Sequence, residues 1–268
     1  MYKLIALDMD GTLLRKDKTI SQRTFAALQA ARQRGVKVVL STGRPVMGIR
    51  NYLEYLGLND DDEYAITFNG SAVQTGKSGH MLFQKFMTGE DLHKIYKLSQ
   101  EHSLNIHAFD KDGRLITPKA NQYTNIEAEI NNIPVHIEDF NNIKYTDKII
   151  KVMIVDDPAK LDEFTKKIPK EYLSNYSIMR SASIFLEFLK PGINKSTGLS
   201  VLSENLNIPK EEIIAVGDAD NDIAMIKFAG LGVAMGNAFP QVKEAGDYIT
   251  ATNDEDGVAK VIEKFVLA

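Results

Sequence analysis

A chain of 268 residues is long enough for one large domain or two small ones, with ample material for a core. Its 44% hydrophobic and 25% charged content is that of an ordinary soluble globular protein. A formal charge of −4 without long single-sign runs argues against nucleic acid or an anionic membrane as the main partner. The absence of cysteine excludes disulfides, thiolate metal sites and cysteine nucleophiles. Asp8 and Asp10 interrupt the apolar N-terminal run, which does not read as a signal peptide. No stretch approaches the roughly 18 apolar residues of a membrane helix, so the expected address is the cytoplasm.

In chain order, Leu4 to Leu7 reads as a short buried strand ending at Asp8. Ser21 is placed to cap a helix whose one face carries Phe25, Leu28 and Ala31, with Gly35 as its stop. Val36 to Leu40 is a second strand, a helix follows Pro45, and Tyr64 to Phe68 is a third strand. Strand–helix–strand repetition implies a parallel sheet covered by helices. From about Gly70 to Gln84 short apolar pieces between Gly and Ser predict a hairpin. Thr88, with Asp91 three residues on, predicts a capped helix to about Ser103. Strands near Ile106 and Leu115, a helix near Ile126, a strand from Ile149 to Val155, a helix from Pro158 and strands near Ile178 and Leu186 follow. This run of adjacent strands predicts a partly antiparallel α+β insert. After Pro191 the first pattern returns: a helix over about Lys195 to Leu206, a strand from Ile213 to Val216, and a helix from near Asp220. A strand from Gly232 to Met235, a helix from Pro240 and a terminal helix from Asp256 complete it. The expected fold class is α/β, a Rossmann-like parallel-sheet core of residues 1–83 and 190–268 with an inserted α+β domain of residues 84–189.

The strongest chemical signal is DMDGT, Asp8 to Thr12, directly after the first strand. Ligands bind at the carboxyl ends of strands in an open parallel sheet. Two carboxylates at i and i+2 before a glycine suit a tight loop that brings acids to one cation. The bland alternative is a solvated turn, in which Asp and Gly are common. Three other segments follow strands or open helices in the same domain. Ser41-Thr42-Gly43-Arg44 offers a hydroxyl and backbone amides to an anion, though alone it would be a helix N-cap. Lys195 sits at a helix start, where a cation is slightly unfavourable and a bound anion would explain it. Gly217-Asp218-Ala219-Asp220-Asn221-Asp222 is either an acid-rich helix start or a metal-binding loop. A carboxylate nucleophile and a phosphate dianion repel each other, so a cation must lie between them. Asp8, Asp218 and the Asp10 carbonyl can hold magnesium, which also keeps waters and substrate phosphate as ligands. Thr42 and Lys195 would hold the remaining phosphoryl oxygens.

DMDGT, STGR, the isolated Lys195 and GDADND, in that order, resemble the four motifs of the haloacid dehalogenase superfamily of phosphohydrolases. FNGS, Phe68 to Ser71, and the insert between the second and third motifs resemble the Cof-like, type IIB capped sugar-phosphate phosphatases. The resemblance spans essentially the whole chain. It implies that Asp8 attacks phosphorus to form an aspartyl-phosphate, with Asp10 as acid to the leaving alcohol and then as base for water. It implies Mg²⁺ as cofactor, ligated by Asp8, Asp10 and Asp218, with Asp222 in support. Thr42, Gly43, Lys195 and Asn221 would bind the substrate phosphate. For Arg44 and Asn69 a structural role has an equal claim. The implied partner is a small phosphorylated metabolite, a sugar phosphate first, although a flavin or pyridoxal phosphate fits the same description.

The five histidines, His80, His93, His102, His107 and His136, show no metal-binding spacing and read as surface or half-buried residues. Asp110, Lys111 and Arg114 cluster at an expected hairpin. Two other functions use the same residues: a phosphosugar mutase, which would return phosphate from Asp8 to a sugar, and a binding protein that had lost catalysis. The second should lack one of Asp8, Asp10, Lys195 or Asp218, and all are present. A dinucleotide-binding domain is disfavoured because no GxGxxG follows the first strand.

Overall fold

The computed structural model describes residues 1–268 and divides them into two compact units. The first comprises Met1–Gly43, Arg50–Gln84 and Asn194–Ala268; the second comprises Arg44–Ile49 and Lys85–Ile193.

The first unit is built on an eight-stranded sheet with Leu4–Leu7 in its interior. That strand pairs in parallel with Ile213–Gly217 on one side and Lys37–Ser41 on the other. Leu231–Ala234 and Tyr248–Ile249 extend the parallel sheet past Ile213–Gly217, and Tyr64–Thr67 extends it past Lys37–Ser41. The expected hairpin is present as Ala72–Thr75 and Met81–Gln84, an antiparallel margin. All four residues of Leu4–Leu7 are buried, as the uninterrupted apolar run requires when helices cover both faces of a parallel sheet.

Ser21 caps the helix Gln22–Gln33, its Oγ accepting from the Thr24 N–H at 3.0 Å. Thr24, Ala27, Leu28 and Ala31 form its buried stripe, at the i, i+3, i+4, i+7 spacing of one helical face. Helix Lys195–Leu206 starts at Asn194, whose side chain accepts from the Ser196 and Thr197 N–H groups. It ends at Asn207 in the left-handed conformation. Its Leu199 and Leu202 pack in one cluster with Leu4, Ala6, Val39 and Ile213 from three strands. Truncating such a leucine to alanine costs about 2–5 kcal/mol, so this packing fixes the helix start against the strand ends.

The second unit has its own sheet, ordered Ser177–Ala182, Phe185–Leu189, Lys148–Val155, Asn105–Asp110, Leu115–Thr117 and Val135–Ile137. Neighbours are antiparallel except the last pair, and Met87–Thr88 pairs with the start of Lys148–Val155. Thr88 and Asp91 form the expected capping box of helix Gly89–Glu101. Ile106, Ala108, Val152, Ile154, Leu186 and Phe188 alternate onto the face that joins the apolar core with Leu92, Ile95, Leu161 and Phe164. The intervening residues include His107, Lys151 and Glu187, all buried. Lys151 Nζ is 3.2 Å from Glu187 Oε2, and His107 Nδ1 is 3.0 Å from Thr124 Oγ1. His107 thereby departs from the half-buried placement that the sequence suggested.

Candidate active site

Three adjacent parallel strands end at the same edge of the first sheet, and each is followed at once by a residue singled out from sequence. Asp8 follows Leu4–Leu7, Thr42 follows Lys37–Ser41, and Asp218 follows Ile213–Gly217. The chain departs from the first strand to a neighbour on one side and later returns to a neighbour on the other. Such a switch point is where a crevice opens at strand carboxyl ends.

Lys195 Nζ lies between two carboxylates, 2.5 Å from Asp8 Oδ1 and 2.6 Å from Asp222 Oδ1. Lys195 and Asp222 are fully buried and Asp8 is 6% exposed. The second oxygen of Asp222 accepts from the backbone N–H groups of Asp218 and Ala219, at 2.9 and 3.0 Å. Thr12 Oγ1 donates to Asp218 Oδ1 at 2.7 Å. The lone cation at a helix start is thus balanced within the protein by two carboxylates, those of Asp8 and Asp222. The helix expected near Asp220 begins as a single 3₁₀ turn, Asp220–Asp222, before Ile223–Phe228.

Three buried or half-buried carboxylates against one ammonium leave an excess of negative charge. Burial pushes the Asp8 carboxyl well above its ordinary range, with Asp222 and Asp218 adding to the effect and Lys195 opposing it. Burial likewise lifts Asp218, to about 6, with Asp222 adding and the Thr12 bond and Lys195 opposing. Burial works against the Lys195 charge, but Asp222 and Asp8 more than offset it, so its pKa is raised. One oxygen each from Asp8, Asp218 and Asp222 lies within 4.8 Å of the others. Asn221 Oδ1 is buried without a partner, an acceptor facing no donor from the protein. Hard oxygen donors, surplus negative charge and an orphaned acceptor fit a hydrated Mg²⁺, which needs few protein ligands.

The Asp10 carboxylate is not one of those three; its Oδ1 accepts from Lys18 Nζ at 2.7 Å, and its side chain is 40% exposed. Thr42 is buried, its N–H donating to the Ile66 carbonyl and its carbonyl accepting from the Asn69 N–H, both at 2.9 Å. Gly43 adjoins the Asn69 carboxamide. Asn221 Nδ2 donates to Asn69 Oδ1 at 2.9 Å. Arg44 belongs to the second unit, where its guanidinium donates to the carbonyls of Gly48 and Ile130 at 3.3 and 3.1 Å. Asp110 accepts from Arg114 Nε at 2.6 Å, which makes that hairpin cluster a local ion pair. Sequence reasoning assigned no part to Thr12 or Lys18. Thr12 could have been found, since its hydroxyl lies on the same short loop as Asp8; no pattern marked Lys18.

The fold is an α/β one with a cluster of acids at the carboxyl edge of its parallel sheet, the place where enzymes of this architecture bind ligands. The chain belongs to the haloacid dehalogenase-like hydrolases (HAD), whose sequence pattern matches residues 5–262. It is 37% identical to the 5-amino-6-(5-phospho-D-ribitylamino)uracil phosphatase YcsE of Bacillus subtilis (strain 168), over 99% of this chain and 96% of the other. A crystal structure of a haloacid dehalogenase-like hydrolase from Bacteroides thetaiotaomicron matches with TM-score 0.86 at 37% identity, covering 98% and 99% of the two chains. The HAD subclass IIB sugar phosphatase BT4131 matches with TM-score 0.83 at 27% identity, covering 99% and 100%. The chain is accordingly an enzyme, a HAD-type phosphatase. None of its helices is long and apolar enough to cross a membrane.

Proposed function

We propose that this protein is a Mg²⁺-dependent phosphatase of the cytoplasm that hydrolyses small phosphorylated metabolites, sugar phosphates foremost, through an aspartyl-phosphate on Asp8. The observation that carries the reading is the Lys195 ammonium bonded to both Asp8 and Asp222 at the end of the first strand. A carboxylate nucleophile needs its charge balanced and its plane fixed before a phosphate dianion can approach, and Lys195 does both.

Asp8, Asp218 and the Asp10 carbonyl would hold Mg²⁺, which supplies positive charge between carboxylate and phosphate when bound. Asp222 already serves Lys195 and two backbone amides, which suits it to shaping the site from behind. Thr42, Gly43, Lys195 and Asn221 grip the phosphoryl oxygens. An Asp8 oxygen bonds to phosphorus as the P–O bond to the alcohol breaks, and protonated Asp10 gives its proton to the departing oxygen. Asp10, now a carboxylate, takes a proton from water; that water's oxygen bonds to phosphorus and the bond to Asp8 breaks, releasing phosphate. Residues 84–189 act as the substrate-selecting unit. A sugar phosphate is supported by the likeness to a subclass IIB sugar phosphatase, and a ribityl phosphate by the likeness to YcsE.

The test is phosphate release from an aryl phosphate and a panel of pentose, hexose and ribityl phosphates, with and without Mg²⁺. Wild type should turn over only with the metal, Asp8→Asn should be inert, and quenched Asp10→Asn should carry phosphate on the Asp8 peptide. Turnover that survives loss of Asp8 would overturn the proposal.

A further inference from the structure

We infer that Asn69 is a positioning residue, which aims the Asn221 carboxamide and braces the Thr42–Gly43 turn so that the site grips a phosphoryl group; this rests on the phosphatase reading above. Asn69 follows strand Tyr64–Thr67 in a turn where three consecutive residues, Phe68, Asn69 and Gly70, have φ of 50°, 54° and 91°. The left-handed region disfavours a residue such as Phe68 by roughly 1–2 kcal/mol, whereas asparagine and glycine adopt it readily. A bulky residue held there signals a turn fixed by its surroundings and kept for what it positions.

What this turn positions is a fully buried carboxamide. The Asn69 N–H donates to the Thr42 carbonyl at 2.9 Å, and Thr42 donates its own N–H to Ile66 at 2.9 Å, so both main-chain groups of Thr42 are fixed. A Cβ at Gly43 would lie 2.9 Å from Asn69 Nδ2, so the carboxamide packs where only glycine leaves room. Asn69 Oδ1 takes one hydrogen of Asn221 Nδ2, at 2.9 Å. Asn221 Oδ1 has no protein partner, so the bond to Asn69 sets the plane of the Asn221 amide and the direction of its second N–H. One side chain thus ties the loop after the second strand to the loop after Ile213–Gly217, the two loops proposed to hold phosphate.

Asn69 acts through residues that hold phosphate in ground state and transition state alike, so its loss should weaken binding more than chemistry. Asn69→Gly removes the carboxamide and keeps a residue suited to the left-handed backbone. The expected result is a rise of about tenfold in KM and in the dissociation constant for inorganic phosphate, from the loss of one oriented hydrogen bond, with kcat within about threefold. Phosphate binding is read by calorimetry with Mg²⁺ present, so the result does not depend on turnover. Adding Asn69→Gly to Asn221→Ala should cost less than about twofold further, because the two act as one unit. Asn69→Ser, whose shorter side chain cannot reach Asn221 Nδ2 as the carboxamide does, should repeat the phenotype and provides the test should Asn69→Gly fail to fold. Unchanged phosphate affinity, or effects that multiply in the double variant, would overturn the inference. An active wild type with such results sinks only this inference, whereas a wild type without Asp8-dependent turnover sinks the phosphatase reading and this one with it.

Discussion

Asp222 presents one oxygen to Lys195 Nζ at 2.6 Å and the other to the backbone N–H groups of Asp218 and Ala219 at 2.9 and 3.0 Å. A single buried carboxylate thus anchors a helix-borne ammonium and the loop that presents Asp218.

Lys195→Met keeps the length of the side chain and removes the charge that Asp8 and Asp222 share. Breaking a buried ion pair from one side costs about 3–5 kcal/mol, so the metal-free variant should melt well below wild type. Loss of one preorganised donor at the reacting group should lower kcat by about 10²–10³-fold. Asp222→Asn turns an amide donor toward Lys195 or toward the Asp218 and Ala219 N–H groups, and should cost about 10–100-fold in activity or metal affinity. Steady-state kinetics and thermal melts of both variants check this.

Metal removal has a pH signature. Asp218 has its carboxyl raised to about 6 from an ordinary 3.8. Between those values the folded state holds a proton that the unfolded chain has released. The metal-free protein therefore loses stability from this group as pH rises from about 4 to 6, and levels off above. Mg²⁺ competes with that proton, so its stabilising effect should be largest at neutral pH and shrink below about 6. At a hundred times its dissociation constant the ion adds about 2.7 kcal/mol, an upward shift of several degrees in Tm. Melts with Mg²⁺ and with EDTA at pH 5.5 and 7.5 measure it; equal shifts at both pH values would contradict the assignment.

Gly11 is fixed by the acid it faces. Its φ is +88°, its carbonyl accepts from Asn237 Nδ2 at 2.8 Å, and a Cβ there would fall 2.3 Å from Asp218 Oδ2. Gly11→Ala therefore combines a left-handed penalty of about 1–2 kcal/mol with displacement of the carboxylate proposed to bind the metal. Mg²⁺ affinity by calorimetry should fall at least tenfold while the far-UV circular dichroism spectrum is unchanged. Unaltered affinity would show that Asp218 can move without consequence.

Much of this architecture was legible because local rules and tertiary packing agreed. The buried LIAL strand, the Ser21 cap, the Thr88–Asp91 capping box and the span Lys195–Leu206 all follow from patterns that depend on few distant contacts. Strands as short as Val135–Ile137 and Tyr248–Ile249 carry too few residues to show a period and exist through their neighbours. The candidate site residues could be picked out as residue types at strand ends and at one helix start, but their pairing could not. That Lys195 meets Asp222, and that Asn69 meets Asn221, depends on which loops the sheet order makes adjacent. The burial of His107 was hidden for a related reason, since its partner Thr124 comes from a helix 17 positions away.

That histidine gives the second unit its own pH dependence. His107 is fully buried, with Nδ1 3.0 Å from Thr124 Oγ1 and its ring beside Phe109 and Phe185. Burial, aided by the charge of Lys151, pushes its pKa down from 6.5 to about 3. The folded state thus keeps the ring neutral at pH values where the unfolded chain binds a proton. Its contribution is complete above about 6.5 and is lost as pH falls toward 3, up to on the order of 5 kcal/mol if the whole gap is expressed. His107→Asn keeps an amide near the Nδ1 position and cannot titrate. The variant should be less stable than wild type at pH 7, because the smaller side chain leaves a void, yet its urea midpoint should change less between pH 7 and pH 4.5. The two midpoints should therefore converge on acidification. Parallel lines, with the variant lower by the same amount at every pH, would mean that the wild-type ring is already relieved of its buried position before the rest of the unit unfolds.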